Sequence, residues 1–435
     1  MITVERDTPI PSVSQALGII QAHNDIMPVF LDFDKIVMYV NHFLLKQKRI
    51  GDPLFDMLGW KPTYQVTLDT ALVNWLRKTD NLYGFEFNSK GVSLADTSIK
   101  AALGCGKLSD EAKIVLHAYQ EYDKCVRLGR TMMAFLQLPV VNMRSFDGHR
   151  MVVLTPKWRA QNTGRIAMYE PALQNIAREL QDIITVPKGW IHLHTDSGQV
   201  EPRIIYSAFM RDPQIQALIK LYNDAYFGVL HYITMPDEMI ISGTTAFEKM
   251  VITDALKGMR SEIKTHQNAV MYGSTSNKTG SEIKDKLIKR IGQHPMRKLW
   301  LQDIETKVNK GVVEFPTYFG SVIDISKSEK LEDKEGEEAI HQKIKLAINN
   351  PIQGTSADLM RLSMAKADYI LRTKAKNSAM LMYIHDAGVF AVHEDDYDKV
   401  YDELADIVSY DVEGWIPIHA EPEVGRNGGL FKDLY

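Results

Sequence analysis

The chain has few cysteines and no long apolar segment. Its 435 residues include only Cys105 and Cys125, too few for a disulfide framework or a four-thiolate metal site, so a reducing compartment is expected. The N-terminal MITVERDTPIPSV lacks the basic start and apolar core of a signal peptide, and no run of about 18 apolar residues predicts a membrane span. These absences predict a cytoplasmic protein that does not bind a membrane.

Opposite charges are almost balanced. The 51 Lys and Arg residues against 55 Asp and Glu give a net charge of −4, which argues mildly against a protein that simply coats nucleic acid. The same balance allows an enzyme with a local basic channel. Apolar residues make up 45% of the chain and charged residues 24%, which is typical of a globular protein, and the length predicts more than one lobe.

The stretch Trp190–Arg203, WIHLHTDSGQVEPR, combines a strand with a helix start. Apolar and polar residues alternate at its beginning, which predicts a partly buried strand with His192 and His194 on its polar side. The strand pattern stops at Asp196, and Pro202 suits the first turn of a following helix. Taken alone, this pattern favours a capping role for Asp196 over a catalytic one.

A second pattern occupies RSEIKTHQNAVMYG, residues 260–273. Arg260, Lys264, Asn268 and Tyr272 are spaced by four, so they lie along one face of a helix. An ordinary solvated face usually mixes charges of both signs, whereas this face carries only hydrogen-bond donors and an aromatic ring. It suits a polyphosphate followed by a base.

A second carboxylate, Asp386, lies in MYIHDAGVF. The apolar residues on both sides predict a tight turn between two strands, where an Asp often serves only the turn. Together with Asp196, also at a strand end, it forms a candidate two-metal site. Two Mg²⁺ ions held about 3.5–4 Å apart by carboxylates stabilise the attacking and leaving oxygens of a phosphoryl transfer.

These stretches resemble the motifs of the family A, DNA polymerase I-like, polymerases. TDSGQVEPR resembles motif A, RSEIKTHQNAVMYG motif B and IHDAGVF motif C. NTGRIAMYEPALQNI resembles the primer–template segment before motif A, and NNPIQGTSADLMRLSMAKA the helix before motif C. The near-terminal PEVGRNGG also fits, and the resemblance covers residues 90–435 in the order that the family shows.

The resemblance implies an α+β right-hand polymerase fold, in which a palm with an antiparallel sheet carries helical fingers and a helical thumb. It divides the chain into an N-terminal region of unknown role (1–90), a reduced thumb (91–155), palm with motif A (156–209), fingers with motif B (210–325) and the remaining palm with motif C (326–435). The N-terminal region contains no recognisable 3′→5′ exonuclease domain. A compact polymerase of phage or mobile-element type is therefore expected.

The resemblance also implies the site. Asp196, Asp386 and Lys264 would be catalytic, and Asp196, Asp386 and the backbone carbonyl of Ser197 would bind two Mg²⁺ ions, for which Mn²⁺ can substitute. Glu201 would fill the space of a ribose 2′-hydroxyl. The predicted nucleotide-binding residues are Arg260, Lys264, Asn268, Tyr272, Gln199, Glu201 and His385. The predicted DNA-binding residues are Arg165, Gln174, Asn175, Gln353, Arg203 and Gly273.

The predicted function is template-directed extension of a primer 3′ end with dNTPs, without proofreading. The predicted partners are primer–template DNA and dNTPs, with replication accessory proteins left open, and the predicted state is a monomer in a bacterial or phage-infected cytoplasm. One alternative is a single-subunit RNA polymerase-like enzyme, whose motif C also lacks a glutamate. Another is a catalytically inactive DNA-binding scaffold in replication. Glu201 favours DNA, and the intact Asp196 and Asp386 favour an enzyme.

Four positions in three motifs depart from the family pattern. Ser197-Gly198 stands where motif A usually has Tyr-Ser, and Ala387 stands where motif C usually has Glu. Asn268 stands where the fingers helix usually has Phe or Tyr. The metal geometry and the discrimination between sugars are therefore the properties that the resemblance predicts least well.

Overall fold

The computed structural model describes residues 1–61, 66–79, 81–88, 91–138, 143–146, 148–234, 259–273 and 281–425. Residues 426–429 of the near-terminal motif lie outside this part. The chain forms two compact units: the larger consists of Met1–Phe30, Leu154–Ile176 and Ile184–Tyr435, and the smaller of Leu31–Val153 and Ala177–Ile183. Helices and antiparallel sheets occur together, which confirms the predicted α+β class. The division into N-terminal region, thumb, palm and fingers stays a prediction.

Helices and strands alternate irregularly along the chain. The described helices are α1 (Val13–Ile26), α2 (Phe33–Leu58), α3 (Leu68–Lys78), α4 (Asp96–Gly104), α5 (Asp110–Leu136), α6 (Val200–Ile204), α7 (Pro213–Tyr222), α8 (Ala225–Thr234), α9 (Arg260–Met271), α10 (Glu282–Leu287), α11 (Pro295–Asn309), α12 (Gly336–Lys374) and α13 (Tyr397–Ala405). The strands are β1 (Ile2–Val4), β2 (Val29–Asp32), β3 (Phe87–Asn88), β4 (Gly91–Val92), β5 (Met143–Phe146), β6 (His149–Leu154), β7 (Trp158–Ala160), β8 (Ile166–Met168), β9 (Ile184–Thr185), β10 (Trp190–Ser197), β11 (Glu314–Pro316), β12 (Val322–Asp324), β13 (Ala379–Ile384), β14 (Ala387–His393), β15 (Tyr410–Val412) and β16 (Ala420–Gly425). None of the described helices has the length and apolar character that a membrane span needs.

The larger unit is built around a four-stranded antiparallel sheet with the order β13–β14–β10–β16. The strand predicted at Trp190 is β10, and its central place in the sheet gives it hydrogen-bonded partners on both sides. The predicted polar side is wrong, because His192 is 0% and His194 4% exposed. Burial lowers the pKa of His192 to about 3, with His194 as a smaller cause, so its ring is neutral at pH 7.

The long helix α12 packs against the same core. Ile352, Leu359 and Met364 on the helix share one apolar cluster with Leu193 of β10 and Phe390 of β14. The helix extends at both ends beyond NNPIQGTSADLMRLSMAKA, the stretch that resembles the helix before motif C. These contacts pack α12 against β10 and β14 of the sheet.

A close approach on α12 requires a glycine. A Cβ at Gly354 would lie 2.3 Å from Ile323 Cδ1 and 2.7 Å from Thr317 Cγ2. Four residues further along, the buried Asp358 accepts hydrogen bonds from Thr317 and Arg361. This part of the helix is therefore fixed against the β11–β12 hairpin.

The N-terminal strand also belongs to the larger unit. β1 pairs in parallel with β15, where Ile2 lies opposite Tyr410, and the terminal amino group contacts Asp406 at 2.6 Å. The first thirty residues thus pack in the unit that contains the central sheet.

The smaller unit is largely helical. Its longest helix is α5, which begins after the capping residue Ser109 and packs against α2. β5 and β6 form an antiparallel hairpin; Gly148 in its turn has a φ of 84°, and Asp147 lies outside the described residues. Cys105 and Cys125 are free thiols.

Candidate active site

A cavity of about 330 Å³ in the larger unit brings three distant parts of the chain together. Its walls come from the end of β10, from α9 and from the turn between β13 and β14. The lining residues are Asp196, Ser197, Gly198, Gln199, Val200, Glu201, Pro202, Tyr226, Arg260, Lys264, Asn268, Asp386 and Glu421. Most of the residues predicted to bind metal or nucleotide therefore lie around one space.

Two carboxylates enter this cavity from neighbouring strands. Asp196 lies near the end of β10, and Asp386 lies in the predicted turn, next to His385, whose φ of 58° closes it. The Ser197 backbone N–H donates to the Asp386 carbonyl at 3.1 Å, which joins the two positions. Burial raises the pKa of Asp386 to about 6, although the charge of Arg165 opposes this shift.

These donors suit a hard divalent cation. Carboxylates and carbonyls are the oxygen ligands that Mg²⁺ prefers, and a nearby cation would favour the ionised form of the desolvated Asp386. Among the described residues, no three His, Cys, Asp or Glu side chains converge closely enough to hold a metal ion. A metal held by Asp196 and Asp386 would therefore need oxygens of substrate and water to complete its shell, as Mg²⁺ in phosphate-transfer sites commonly does.

The turn between β10 and α6 is held by Arg203. This side chain is 3% exposed and donates to the carbonyls of Gly198, Pro417 and Asn223 at 3.1, 2.7 and 2.8 Å. The predicted DNA contact of Arg203 does not agree with this position. Its guanidinium instead satisfies backbone carbonyls that would otherwise be buried without donors.

Glu201 lies where three elements meet. Its Oε1 accepts a hydrogen bond from Arg165 Nη2 at 2.6 Å, and its Oε2 accepts one from the Tyr272 hydroxyl at 3.3 Å. Arg165 comes from the loop before β8, and Tyr272 follows the last turn of α9. Burial and the Glu201 carboxylate raise the pKa of Tyr272, so its hydroxyl keeps the proton that it donates.

Three residues of the predicted helix face, Arg260, Lys264 and Asn268, lie on α9 and line the cavity, whereas Tyr272 follows the helix and is not a lining residue. Arg260 forms an ion pair with Asp224 and lies 5.3 Å from the ring centroid of Tyr226. Lys264 is exposed. The amide Oδ1 of Asn268 is buried and has no hydrogen-bond partner among the described residues, which leaves an acceptor for a bound molecule.

The other predicted DNA-binding residues lie outside the cavity lining. Gln174 uses its amide within the protein: Oε1 accepts from the Met168 N–H at 2.8 Å, and Nε2 donates to Tyr383 O. These bonds hold the amide of Gln174 against the protein, and its predicted contact with DNA stays a prediction. Asn175 and Gly273 are exposed, and Gln353 is half-buried on α12.

The sequence patterns missed three residues of the cavity region. Asp224 caps α8, where it accepts from the Phe227 N–H at 2.8 Å, and it also binds Arg260 and Gln199. Tyr226 follows it on the same helix. Glu421 and Glu423 alternate along β16, which places both side chains on one face, but this alternation does not show that Glu421 lies opposite Asp196.

The amino-acid sequence matches those of known DNA polymerases. The family model of DNA polymerase family A matches residues 105–429, which is more than half of the chain. The DNA polymerase of Bacillus phage SP01 is 23% identical over 88% of this chain and 39% of its own length. A thermostable DNA polymerase I of Thermus filiformis is 24% identical over 62% of this chain and 31% of its own length.

The solved structures agree in fold. The POL domain of Pol1 from M. smegmatis, in complex with DNA primer-template and dNTP, matches 97% of this chain and 70% of that chain with a TM-score of 0.75 and 16% identity. This match confirms the predicted right-hand polymerase fold. The chain spans about a third of the length of the two relatives from the Bacillus phage and Thermus filiformis. It belongs to DNA polymerase family A.

Proposed function

We propose that this chain is a template-directed DNA polymerase that extends a primer 3′ end with dNTPs by two-metal-ion nucleotidyl transfer. One observation carries the proposal: a single cavity combines the carboxylates of Asp196 and Asp386 with the cations Arg260 and Lys264. Carboxylates suit the metal ions, and cations suit a triphosphate. An enzyme that joins a metal-bound hydroxyl to a nucleotide needs both in one place.

In the proposed reaction the primer 3′-hydroxyl oxygen gives its proton to solvent water and forms a bond to the α-phosphorus of the incoming dNTP. The bond from that phosphorus to the oxygen of the β-phosphate breaks, and pyrophosphate leaves. Arg260 and Lys264 hold the triphosphate along α9, and the Lys264 ammonium donates a proton to the departing pyrophosphate. Tyr272 stacks at the base, and the partnerless Oδ1 of Asn268 is an acceptor toward the nucleotide.

Family A polymerases use divalent metal ions, and the donors of this cavity fit Mg²⁺, with Mn²⁺ as a substitute. We assign the ions to the carboxylates of Asp196 and Asp386 and to the Ser197 carbonyl. When bound, the ions would stabilise charge on the attacking and leaving oxygens. The Ser197 hydroxyl takes no part, because it donates to Val408 O at 2.9 Å.

Discrimination against ribonucleotides is assigned to Glu201. Two hydrogen bonds hold its carboxylate in the cavity wall, where it would meet a ribose 2′-hydroxyl. This favours the DNA polymerase over the RNA polymerase-like alternative. The inactive scaffold is disfavoured because the carboxylates and cations are all in place.

The proposed partners are primer–template DNA and dNTPs. Arg165, Asn175 and Gln353 are assigned to the minor groove, where N3 and O2 acceptors occur on every correct base pair. Support comes from the solved POL domain of M. smegmatis, which holds a DNA primer-template and a dNTP. The phage relative supports a bacterial or phage-infected cytoplasm as the setting.

The proposal includes no proofreading by this chain. Among the N-terminal acids, Asp32 caps α2 by accepting from the Lys35 N–H at 3.0 Å, and Asp34 pairs with Arg150. These roles account for both acids without a nuclease site.

The test is primer extension on a DNA template with dNTPs, with rNTPs, and on an RNA template, compared in parallel. Extension by dNTPs on DNA, with much slower use of rNTPs, is the expected result. Preferential use of rNTPs would establish the RNA polymerase alternative, and no extension under any condition would favour the scaffold.

A further inference from the structure

Glu421 lies directly beside Asp196 in the sheet. Asp196 faces Ala387 across the β10–β14 pair and Glu421 across the β10–β16 pair. Residues directly opposite each other on antiparallel strands place their side chains on the same face. The Glu421 carboxylate therefore shares a face with Asp196 and lines the same cavity.

Pro422, the residue after Glu421, restricts the backbone of Glu421. Pro422 cannot donate a ladder hydrogen bond, and β16 tolerates it because this strand is at the edge of the sheet. A residue before a proline is held in extended backbone. Glu421 is exposed, so its carboxylate is accessible to ions and water.

Gly198 provides the space for this carboxylate. A Cβ at position 198 would lie 3.0 Å from Glu421 Oε1 and 3.3 Å from the His419 carbonyl. The Gly198 N–H donates to that same carbonyl at 3.0 Å, so the turn is held against β16. The usual serine of motif A would therefore crowd Glu421 Oε1, which would have to shift by a few tenths of an ångström.

Two departures from the family pattern are thus connected through Asp196. Ala387 removes a carboxylate on one side of it, and Gly198 admits the Glu421 carboxylate on the other. We propose that Glu421 supplies the third carboxylate of the metal site, from β16 in place of position 387. This inference rests on the proposed two-metal function.

Glu421 is assigned a contact with a water molecule that is bound to the metal, rather than with the metal itself. No three acidic or histidine side chains among the described residues converge closely enough to ligate one ion directly. Mg²⁺ keeps several of its waters in such sites, and carboxylates outside the ligand shell orient the ligands inside it. Glu421 is accordingly a positioning residue.

The test compares Mn²⁺ binding in a complex that cannot react. Protein is mixed with a primer–template whose primer ends in a dideoxynucleotide and with the next dNTP, and bound Mn²⁺ is measured by electron paramagnetic resonance. Glu421→Gln is expected to raise the Mn²⁺ dissociation constant about tenfold, with unchanged affinity for DNA. Gly198→Ala is expected to weaken Mn²⁺ binding in the same direction.

Glu423→Gln is the matched control, because Glu423 is on the same strand and face but faces His194, at 3.6 Å. It should leave Mn²⁺ binding unchanged. Unaltered Mn²⁺ affinity in Glu421→Gln, or an equal loss in Glu423→Gln, would overturn the inference. Asp196→Asn separates the proposed metal site from the proposed role of Glu421. If Asp196→Asn abolishes Mn²⁺ binding and Glu421→Gln leaves it unaltered, only the role of Glu421 is wrong. If the unsubstituted protein binds no Mn²⁺, both fall.

Discussion

Asp224 holds Arg260, with Asp224 Oδ2 2.6 Å from Arg260 Nη2 and 3.0 Å from Arg260 Nε. The same carboxylate oxygen accepts from Gln199 Nε2 at 2.8 Å. In this arrangement the side chain assigned to the triphosphate is bound to a carboxylate of the protein. An incoming dNTP must therefore compete with Asp224 for the guanidinium.

Asp224→Asn is expected to lower the KM for dNTPs about two- to fivefold. The Arg260 side chain is 36% and the Asp224 side chain 16% exposed, and ion pairs that reach solvent contribute only about 0.2–1 kcal/mol, so the expected gain is small. An Asn oxygen can keep the cap on the Phe227 N–H. Arg260→Ala should raise the same KM at least about tenfold, because a charged hydrogen bond to phosphate is lost. Steady-state kinetics on a primer–template measure both, with Asp303→Asn as a surface control. A higher KM in Asp224→Asn would show that Asp224 positions Arg260 rather than competing for it.

Glu201→Ala is expected to increase the use of ribonucleotides relative to deoxyribonucleotides on the order of tenfold or more, since the space of the 2′-hydroxyl opens. The ratio of kcat/KM for an rNTP to that for the matching dNTP is the measurement. Glu201→Gln keeps the length of the side chain and should change the ratio much less. An unchanged ratio in Glu201→Ala would place the sugar gate elsewhere.

The raised pKa of the Asp386 carboxyl makes the free energy of unfolding depend on pH. Its pKa is raised from 3.8 to about 6 by burial, so between these values the folded protein binds more protons than the unfolded chain. The contribution of this residue to the free energy of unfolding therefore decreases as pH rises through that window. Without metal, Asp386→Asn should remove this part of the pH dependence between pH 4 and pH 7 (roughly the window around the two pKa values).

Denaturant unfolding of both proteins across that range tests the sign. Mg²⁺ should stabilise the unsubstituted protein more at the upper end of the range, where Asp386 is ionised. Identical pH profiles for the two proteins would contradict the assigned burial of this carboxyl.

Gly354→Ala should destabilise the protein by about 1–3 kcal/mol, the usual cost of forcing extra volume into a packed contact. The added Cβ would meet Ile323 and Thr317 at 2.3 and 2.7 Å. Gly18→Ala is the matched control, because Gly18 is also within a helix but has nothing within 4 Å of its Cβ position. It should stabilise by about 0.5–1 kcal/mol. If Gly18→Ala destabilised the protein as much as Gly354→Ala, the loss could not be attributed to the close approach of Gly354 to Ile323 and Thr317.

Local patterns predicted the elements that carry the site. Alternation located β10, the four-residue spacing located the face of α9, and apolar runs on both sides of Asp386 located the turn. These features depend on neighbours in sequence, so a single chain reveals them. The burial of His192 and His194 was not predictable in this way, because it follows from β14 and β16, which join β10 from distant parts of the chain.

Side-chain partners over long distances were the least predictable part. Arg203 was predicted to contact DNA, but its side chain donates to the carbonyls of Pro417 and Asn223. Glu421 gains its meaning only from the register that places it opposite Asp196. In both cases the deciding partner is set by strand and turn pairing that no local pattern encodes.

The central claim is that Asp196 and Asp386 hold the metal ions of nucleotidyl transfer. Its most direct test is single-turnover primer extension by Asp196→Ala and Asp386→Ala with Mg²⁺, beside a DNA-binding measurement on the same proteins and with Asp303→Ala as the surface control. Loss of metal-bound charge stabilisation costs several kcal/mol, so the rate should fall about a thousandfold or more while DNA affinity is largely kept. Extension within about tenfold of the unsubstituted rate by either variant would contradict the account.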